Sequence, residues 1–479
     1  SADVELPIPS GSNSVRGFLY SNTGVFSNGK RVVFMDRQDG PGGVYYTYSY
    51  NGTDWSEPEY FTPQDFTIGS NNFKIISDDL DRLHIIWASH LPKGLFYAQM
   101  DSALNLVIDS VRIADNPNFG SFNDMYITTD LKHRIHVMWN EGKTGEDIPE
   151  AFYAQSTDGG QSWSEKVMLS EDDGLPSAFP RGQFNAWAGD TLAIFWRDSS
   201  AQPSPVENWD LQMVLSLDGG QTWSTPITIN PGLDMQGDPD LVIDPEGRFH
   251  LFYHGAPVQD PYWGMRIHYG YSDDLGQSWQ PSPVFDNIVS QEQRSYLVEG
   301  SRYDLQTGTL WTFWKEEDIV GLKGGDMMAA YSTDRGLTWS TPEYVTDRGE
   351  TSIGFKAVSL LPDGGLAINY ELPNYPDDGL VRVFYKERPP VTVADREIPA
   401  NEQLSIYPNP ASDFVTVSVE GLGLHSLTLF DLNGRQVFAK PLTKEQQEYV
   451  IDVQHLPKGI YLIQIRTDEG VVSKRFLVQ

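Results

Sequence analysis

Seven positions differ where their surroundings repeat: Asp36, Ala88, Asn140, Arg197, His254, Lys315 and Glu371. Each follows a short apolar run ending in an aromatic residue or Met, at 32–35, 84–87, 136–139, 193–196, 250–253, 311–314 and 367–370. Positions that serve a fold stay alike between repeats, whereas the rim of a site for one asymmetric ligand must vary. Six of these seven are polar. A second set precedes the runs, at the junctions between repeats: Arg16, Asn72, Asn123, Arg181, Asp238, Arg294 and Lys356. Several Arg converging in an acidic protein suit a carboxylate or sulfate, which a guanidinium grips through two parallel hydrogen bonds. His90 and His254, read as loop residues, offer imidazoles suited to general-base work near neutral pH. Tyr262 offers an aromatic face on which a sugar ring can stack. His84, His136 and His250 share one strand position in three repeats, so they read as structural.

The elements that must position these groups follow from the period. Successive runs end 52, 52, 57, 57, 61 and 56 residues apart. Each follows a turn such as SNGK, DDLDR or DPEGR and precedes another alternating strand, as HIIW precedes LFYAQM. A strand, turn, strand, loop, strand grammar repeated seven times predicts an all-β propeller of seven blades, with six as the alternative. The last repeat lacks an outer strand, and residues 4–9 are expected to supply it and close the ring.

Residues 156–163 read STDGGQSW, and the pattern returns at 216–223, 272–279 and 332–339. Asp accepts backbone N–H bonds, Gly supplies the positive φ of a reversal, and Trp pins the hairpin onto its neighbour. A single site does not need four copies, so the motif reads as a clasp. It resembles the Asp-box, or BNR repeat, of the sialidase superfamily of β-propellers. That resemblance implies that the boxes lie away from the active face. It also implies a carboxylate clamp of three Arg, with Arg37, Arg197 and Arg294 (or Arg302) as the matches and Arg16 near the family's first motif. Asp39 corresponds to the acid/base. Two departures stand out: no Ile-Pro follows Arg16, and the inner strand of blade 4, read as GQFNAWAG, has no Glu to activate a Tyr nucleophile. Tyr296, Tyr303 and Tyr370 are the candidates for that nucleophile. Seven-bladed propellers also include polysaccharide lyases, which would use His90, His254, Arg197 and Tyr262. A non-catalytic propeller for glycan binding or adhesion is the third reading.

Asp and Glu number 66 against 34 Lys and Arg, a formal charge of −32. Such a surface disfavours nucleic acid and anionic membranes as partners. There is no Cys, hence no disulfide or thiolate metal site, and no apolar run long enough to span a bilayer. No metal or cofactor motif is present. The start, SADVELP, carries no signal peptide, so an export signal is expected to have been removed already.

Composition shifts after Pro390. Residues 391–403 read as a linker between a propeller at 1–390 and a small Ig-like β-sandwich at 404–479. Tyr407-Pro408-Asn409-Pro410, Asp431-Leu432-Asn433-Gly434-Arg435, Gly459-Ile460-Tyr461 and Lys474-Arg475-Phe476 resemble, in order, the motifs of the C-terminal sorting domain of type IX (Por) secretion in Bacteroidetes. The resemblance implies the type IX machinery as partner and a secreted or outer-membrane-surface location.

Overall fold

The structure is a computed structural model that describes residues 3–10, 15–17, 23–37, 43–61, 68–90, 92–115, 125–130, 132–142, 148–184, 190–198, 210–229, 236–244, 246–255, 266–282, 293–304, 307–318, 326–346, 356–373, 381–390, 404–408, 411–419, 424–431, 436–441, 448–454, 456–467 and 470–478. Among these there is no helix. The chain divides into two compact units, Ser1–Val391 and Thr392–Gln479.

Unit one contains seven antiparallel sheets among the described residues. Blade 3 is typical: Met125–Thr129, Ile135–Gly142, Pro149–Ser156 and Val167–Met168 pair in chain order. Blades 2, 4, 5 and 6 follow the same order. In blade 1 the inner strand is two pieces, Val15–Gly17 and Thr23–Val25, which pair successive stretches of Arg31–Arg37. The inner strands contact one another in cyclic order, blade 7 against blade 1, so the sheets form a closed ring of seven.

Closure uses the N-terminal strand. Val4 and Glu5 pair with Tyr385 and Phe384 of Val381–Arg388, supplying the fourth strand of blade 7. Blade 7 also hydrogen-bonds blade 1 through Asn369 Nδ2 to Thr23 Oγ1 at 2.6 Å. The N-terminal strand thereby covers an edge of Val381–Arg388 that would otherwise be open.

Burial explains why the runs repeat. Their alternating side chains face the two neighbouring blades in turn, so both faces of each sheet must be apolar. Trp139 and Val137 pack with Ile86, Leu95 and Tyr97 of blade 2, while Met138 and Tyr153 pack with Leu192, Ile194 and Trp196 of blade 4. Trp87, Trp139 and Trp196, at the ends of three runs, are fully buried.

Unit two is a pair of sheets, of three and four strands, whose Val415, Val417, Leu427, Leu429, Ile451, Ile463 and Ile465 form one core.

Candidate functional site

In an antiparallel four-strand sheet, the first and third turns lie at one edge and the second connection at the other. The Asp-box turns and the turns before the second strands therefore share one edge of every blade. The ends of the second strands, and the starts of the inner ones, lie at the opposite edge.

The Asp-box edge is saturated with internal bonds. Ser156 Oγ donates to Asp158 Oδ1 at 2.8 Å and accepts the Gly160 N–H at 2.8 Å; the Ser162 N–H reaches Asp158 at 2.9 Å. Boxes 216–223, 272–279 and 332–339 repeat these bonds. Trp163, Trp223 and Trp339 meet Tyr97, Tyr153 and Tyr269 of the preceding blade edge-on, with centroids 4.9–5.3 Å apart. A degenerate box escaped the sequence reading. Ser49, Asn51, Gly52 and Trp55 in blade 1 make the same kind of turn, and Trp55 lies 4.7 Å from Tyr385 of blade 7. The clasp thus also crosses the closure. The available signal was SYNGTDW at the expected offset, with Asn in place of the Asp.

The three repeated His take part in this clasp. His84 Nδ1 is 2.8 Å from the Tyr97 hydroxyl, and its Nε2 is 3.1 Å from Asp78. His136 with Tyr153 and Asp130, and His250 with Tyr269 and Asp244, repeat the arrangement. An Nε2–H donating to Asp while Tyr donates to Nδ1 describes a neutral imidazole. Burial lowers all three imidazoles, against the pull of their Asp partners. Burial also opposes the Asp78 charge, yet bonds from His84 and Arg82 bring that carboxyl down to about 2.

Among the described residues one group has the donors for a metal ion, Asp78, Asp79 and His133, at this same edge. It fits a cation poorly, because the Asp78 carboxylate already receives the Arg82 guanidinium and His84.

The opposite edge holds the predicted site residues. Arg37 ends the second strand of blade 1, with its N–H bonded to Gly43 O at 3.0 Å. Arg197 stands in Leu192–Asp198 between Ala178 and Leu211, and Glu371, 4% exposed, lies opposite Val383. His90 and His254 were read as loop residues; both belong to strands, Leu83–His90 and Phe249–Gly255. Arg16, Arg181 and Arg294 were read as junction residues, yet each lies within an inner strand, paired with Asp36, Phe195 and Glu317. The register explains this: the inner strands begin earlier than the apolar alternation suggests, and a bulge between Ala178 and Arg181 interrupts it. The inner strand of blade 4 is Ser177–Phe184 rather than GQFNAWAG, and it too contains no Glu. Asp39 and Tyr262 lie outside the described residues.

The structure also sorts the Tyr candidates. Tyr370 is fully buried and stacks on Phe384 at 5.8 Å. Tyr303 pairs with Leu310 at the Asp-box end of blade 6, where burial and the charges of Asp244 and Glu246 raise its phenol. Tyr296 lies toward the opposite edge, paired with Lys315.

Residues 133–370 match the family model of the BNR repeat-like domain, and residues 405–479 match the secretion system C-terminal sorting domain. The chain is a BNR-repeat propeller with a secretion sorting tail. An ulvan lyase solved with -[GlcA(1-4)Rha3S]- has a TM-score of 0.52 to it at 10% identity, over 77% of this chain and 94% of the lyase. The BP39L lectin from Burkholderia pseudomallei gives 0.51 at 13% identity, over 79% and 99%. Polysaccharide lyase Uly1 gives 0.51 at 11%, over 77% and 89%. These likenesses show a shared fold. No curated protein matches the chain. No helix among the described residues of this BNR-repeat propeller is long and apolar enough to cross a membrane.

Proposed function

We propose that this is a type IX-exported protein, secreted or held at the outer-membrane surface, that engages acidic glycans at the edge opposite its Asp-boxes, as a sialidase-like exo-glycosidase. The observation that carries the reading is the contrast in register. At the position after each second-strand run, where the flanking core residues repeat, the chain places Asp36, Ala88, Asn140, Arg197, His254, Lys315 and Glu371. Arg16, Arg37, Arg181 and Arg294 join Arg197 at that edge. Arg residues on neighbouring strands of a chain with net charge −32 suit a sugar carboxylate or sulfate. In this reading Arg37, Arg197 and Arg294 clamp the anion and Asp39 is the acid/base. Tyr296 is the nucleophile candidate that the packing of Tyr303 and Tyr370 leaves. Arg16, Arg181, His90, His254, Tyr262 and Glu371 contact the rest of the sugar.

One observation favours a second reading, a non-catalytic glycan-binding propeller: Ser177–Phe184 offers no Glu to activate a Tyr, and glycoside cleavage by a Tyr nucleophile needs such a partner. The test is a substrate screen. Release of free sugar from fluorogenic sialosides supports the hydrolase. An unsaturated uronate formed from acidic polysaccharide assigns a lyase instead. Silence in both with retained glycan-array binding assigns the binding module. No binding and no turnover on any acidic glycan removes the proposal.

A further inference from the structure

The sorting tail presents an apolar patch that its own core does not cover. Its three-stranded sheet pairs Leu404–Tyr407, Phe414–Val419 and Glu448–Asp452 in that order. Successive side chains alternate between the two faces of a sheet. One face carries Ile406, Val415, Val417, Tyr449 and Ile451 into the core. On the other face the register sets Tyr407, Thr416 and Val450 in one row, between the row of Phe414 and Asp452 and the row of Ser418 and Glu448. Tyr407 is 47% exposed, Phe414 51% and Val450 57%, while Thr416 between them is buried. The Tyr407 hydroxyl donates to Glu448 Oε1 at 3.0 Å, which holds the ring across the strands.

Single exposed apolar side chains are ordinary, but three on adjacent strands with carboxylates beside them have the make-up of an interface centre and its rim. Tyr461, the aromatic of a later motif, shows the alternative: it is buried in the core, and its hydroxyl donates to Pro457 O at 2.7 Å. Tyr407, from the first motif, stands half exposed on the outer face instead.

We propose that this outer face, with Tyr407, Phe414 and Val450 as anchors, is where the export machinery docks, through an apolar protein surface flanked by Lys or Arg. Such docking rests on the reading of the chain as type IX-exported, which the match of residues 405–479 to a secretion sorting domain supports. A partner that sorts the chain must bind the unit that carries the sorting sequence, and this face offers it apolar area. The partner's charge follows from Glu448 and Asp452. A purely apolar surface would leave these carboxylates desolvated and unpaired, whereas Lys or Arg beside it would pair them. The three rows hold two carboxylates and no basic side chain, so a second copy laid face to face would bring like charges together.

Export of the full chain from a bacterium with type IX secretion tests this, read as protein in the medium and on the cell surface against protein retained in the periplasm. Phe414→Lys and Val450→Lys set a cation against an apolar, cationic partner, and each should lower the exported fraction about tenfold or more. Phe414→Leu keeps an apolar side chain and should cost much less. Tyr344→Lys, at an exposed position on the outer strand of blade 6, should leave export unchanged. The melting temperature should hardly move in any of these variants, because the substituted side chains lie outside the cores. The same bacterium with its type IX system disabled separates the two readings. If it exports the native chain as before, the type IX reading fails. If it does not, and Phe414→Lys and Val450→Lys leave the intact strain like the native chain, the docking face alone is wrong. A clear fall in melting temperature for these two variants would show that the face packs within the chain, and a change of oligomeric state would show that it covers a second copy. Either overturns the proposal.

Discussion

The two edges of the ring use the same residue types to different ends. At the Asp-box edge Arg302 donates to the backbone carbonyls of Ser301 and Val358, and other Arg residues have acidic partners inside the protein. Arg31 meets Glu387 and Arg134 meets Asp130 and Asp190; Arg248 meets Asp273, and Arg335 meets Asp244 and Glu246. Several of these pairs cross from blade to blade, and their pattern recurs around the ring. At the other edge the residues that follow the second-strand runs sit at equivalent positions but change identity from blade to blade, as Asp36, Asn140, Arg197 and Lys315 do. A network copied from blade to blade stabilises each seam alike. A set that differs in every blade cannot be explained by seam packing, which is the same in each.

The largest expected effect tests the clasp. Gly336 sits at φ 80°, and a side chain there would overlap the Tyr269 ring of the preceding blade. Gly336→Val should destabilise the propeller by about 3 kcal/mol or more, the sum of left-handed strain and overpacking, as read by urea unfolding. A smaller loss would mean that the seam is looser than its geometry implies.

Arg197→Ala tests the other edge. Losing two charge-assisted bonds costs about 3 kcal/mol, so glycan turnover or affinity should fall roughly a hundredfold. The melting temperature should hardly move. The reverse pattern, a stability loss with unchanged glycan engagement, would make Arg197 part of the scaffold and erase the contrast.

The pH response should divide the edges next. The clasp imidazoles have folded values below the ordinary one, so their contribution is complete above that value and is lost as pH falls below it. Melting temperature should therefore drop between about pH 7 and pH 5, by up to tenfold in folding constant per pH unit for each imidazole. Further loss is expected as pH falls from the ordinary carboxylate range toward about 2, where Asp78 and Asp158 are protonated. A flat profile across the imidazole range would show that folding leaves these His unshifted, and stability that rises as pH falls would show that they are charged in the folded state. The smallest effect belongs to Gly159→Ala. This position, at φ 77°, has open space around it, so only backbone strain of about 1 kcal/mol should appear in the same urea experiment.

Much of this was legible without coordinates. The runs ending at Met35, Trp87 and Trp139 announced strands because burial on both faces demands continuous apolar residues, and the box at 156–163 announced its turn because Asp, Gly and Ser each have a local backbone role. The structural part of His84, His136 and His250 was legible from repetition alone. The box at Ser49–Trp55 was missed because Asn replaced the Asp, although an Asn side chain can accept the same backbone bonds.

What the sequence determined by itself is therefore local and periodic: strand, turn, repeat and a sorting tail, each set by residues within a few positions of one another. Only the tertiary structure decided the rest. It placed Arg16, Arg181 and Arg294 inside strands, because register and bulges are set by the partner strand. It set Tyr303 among the charges of a neighbouring clasp, and it carried Arg335 of blade 6 to Asp244 of blade 5. Such pairings depend on how blades meet, and no spacing within a single repeat records that.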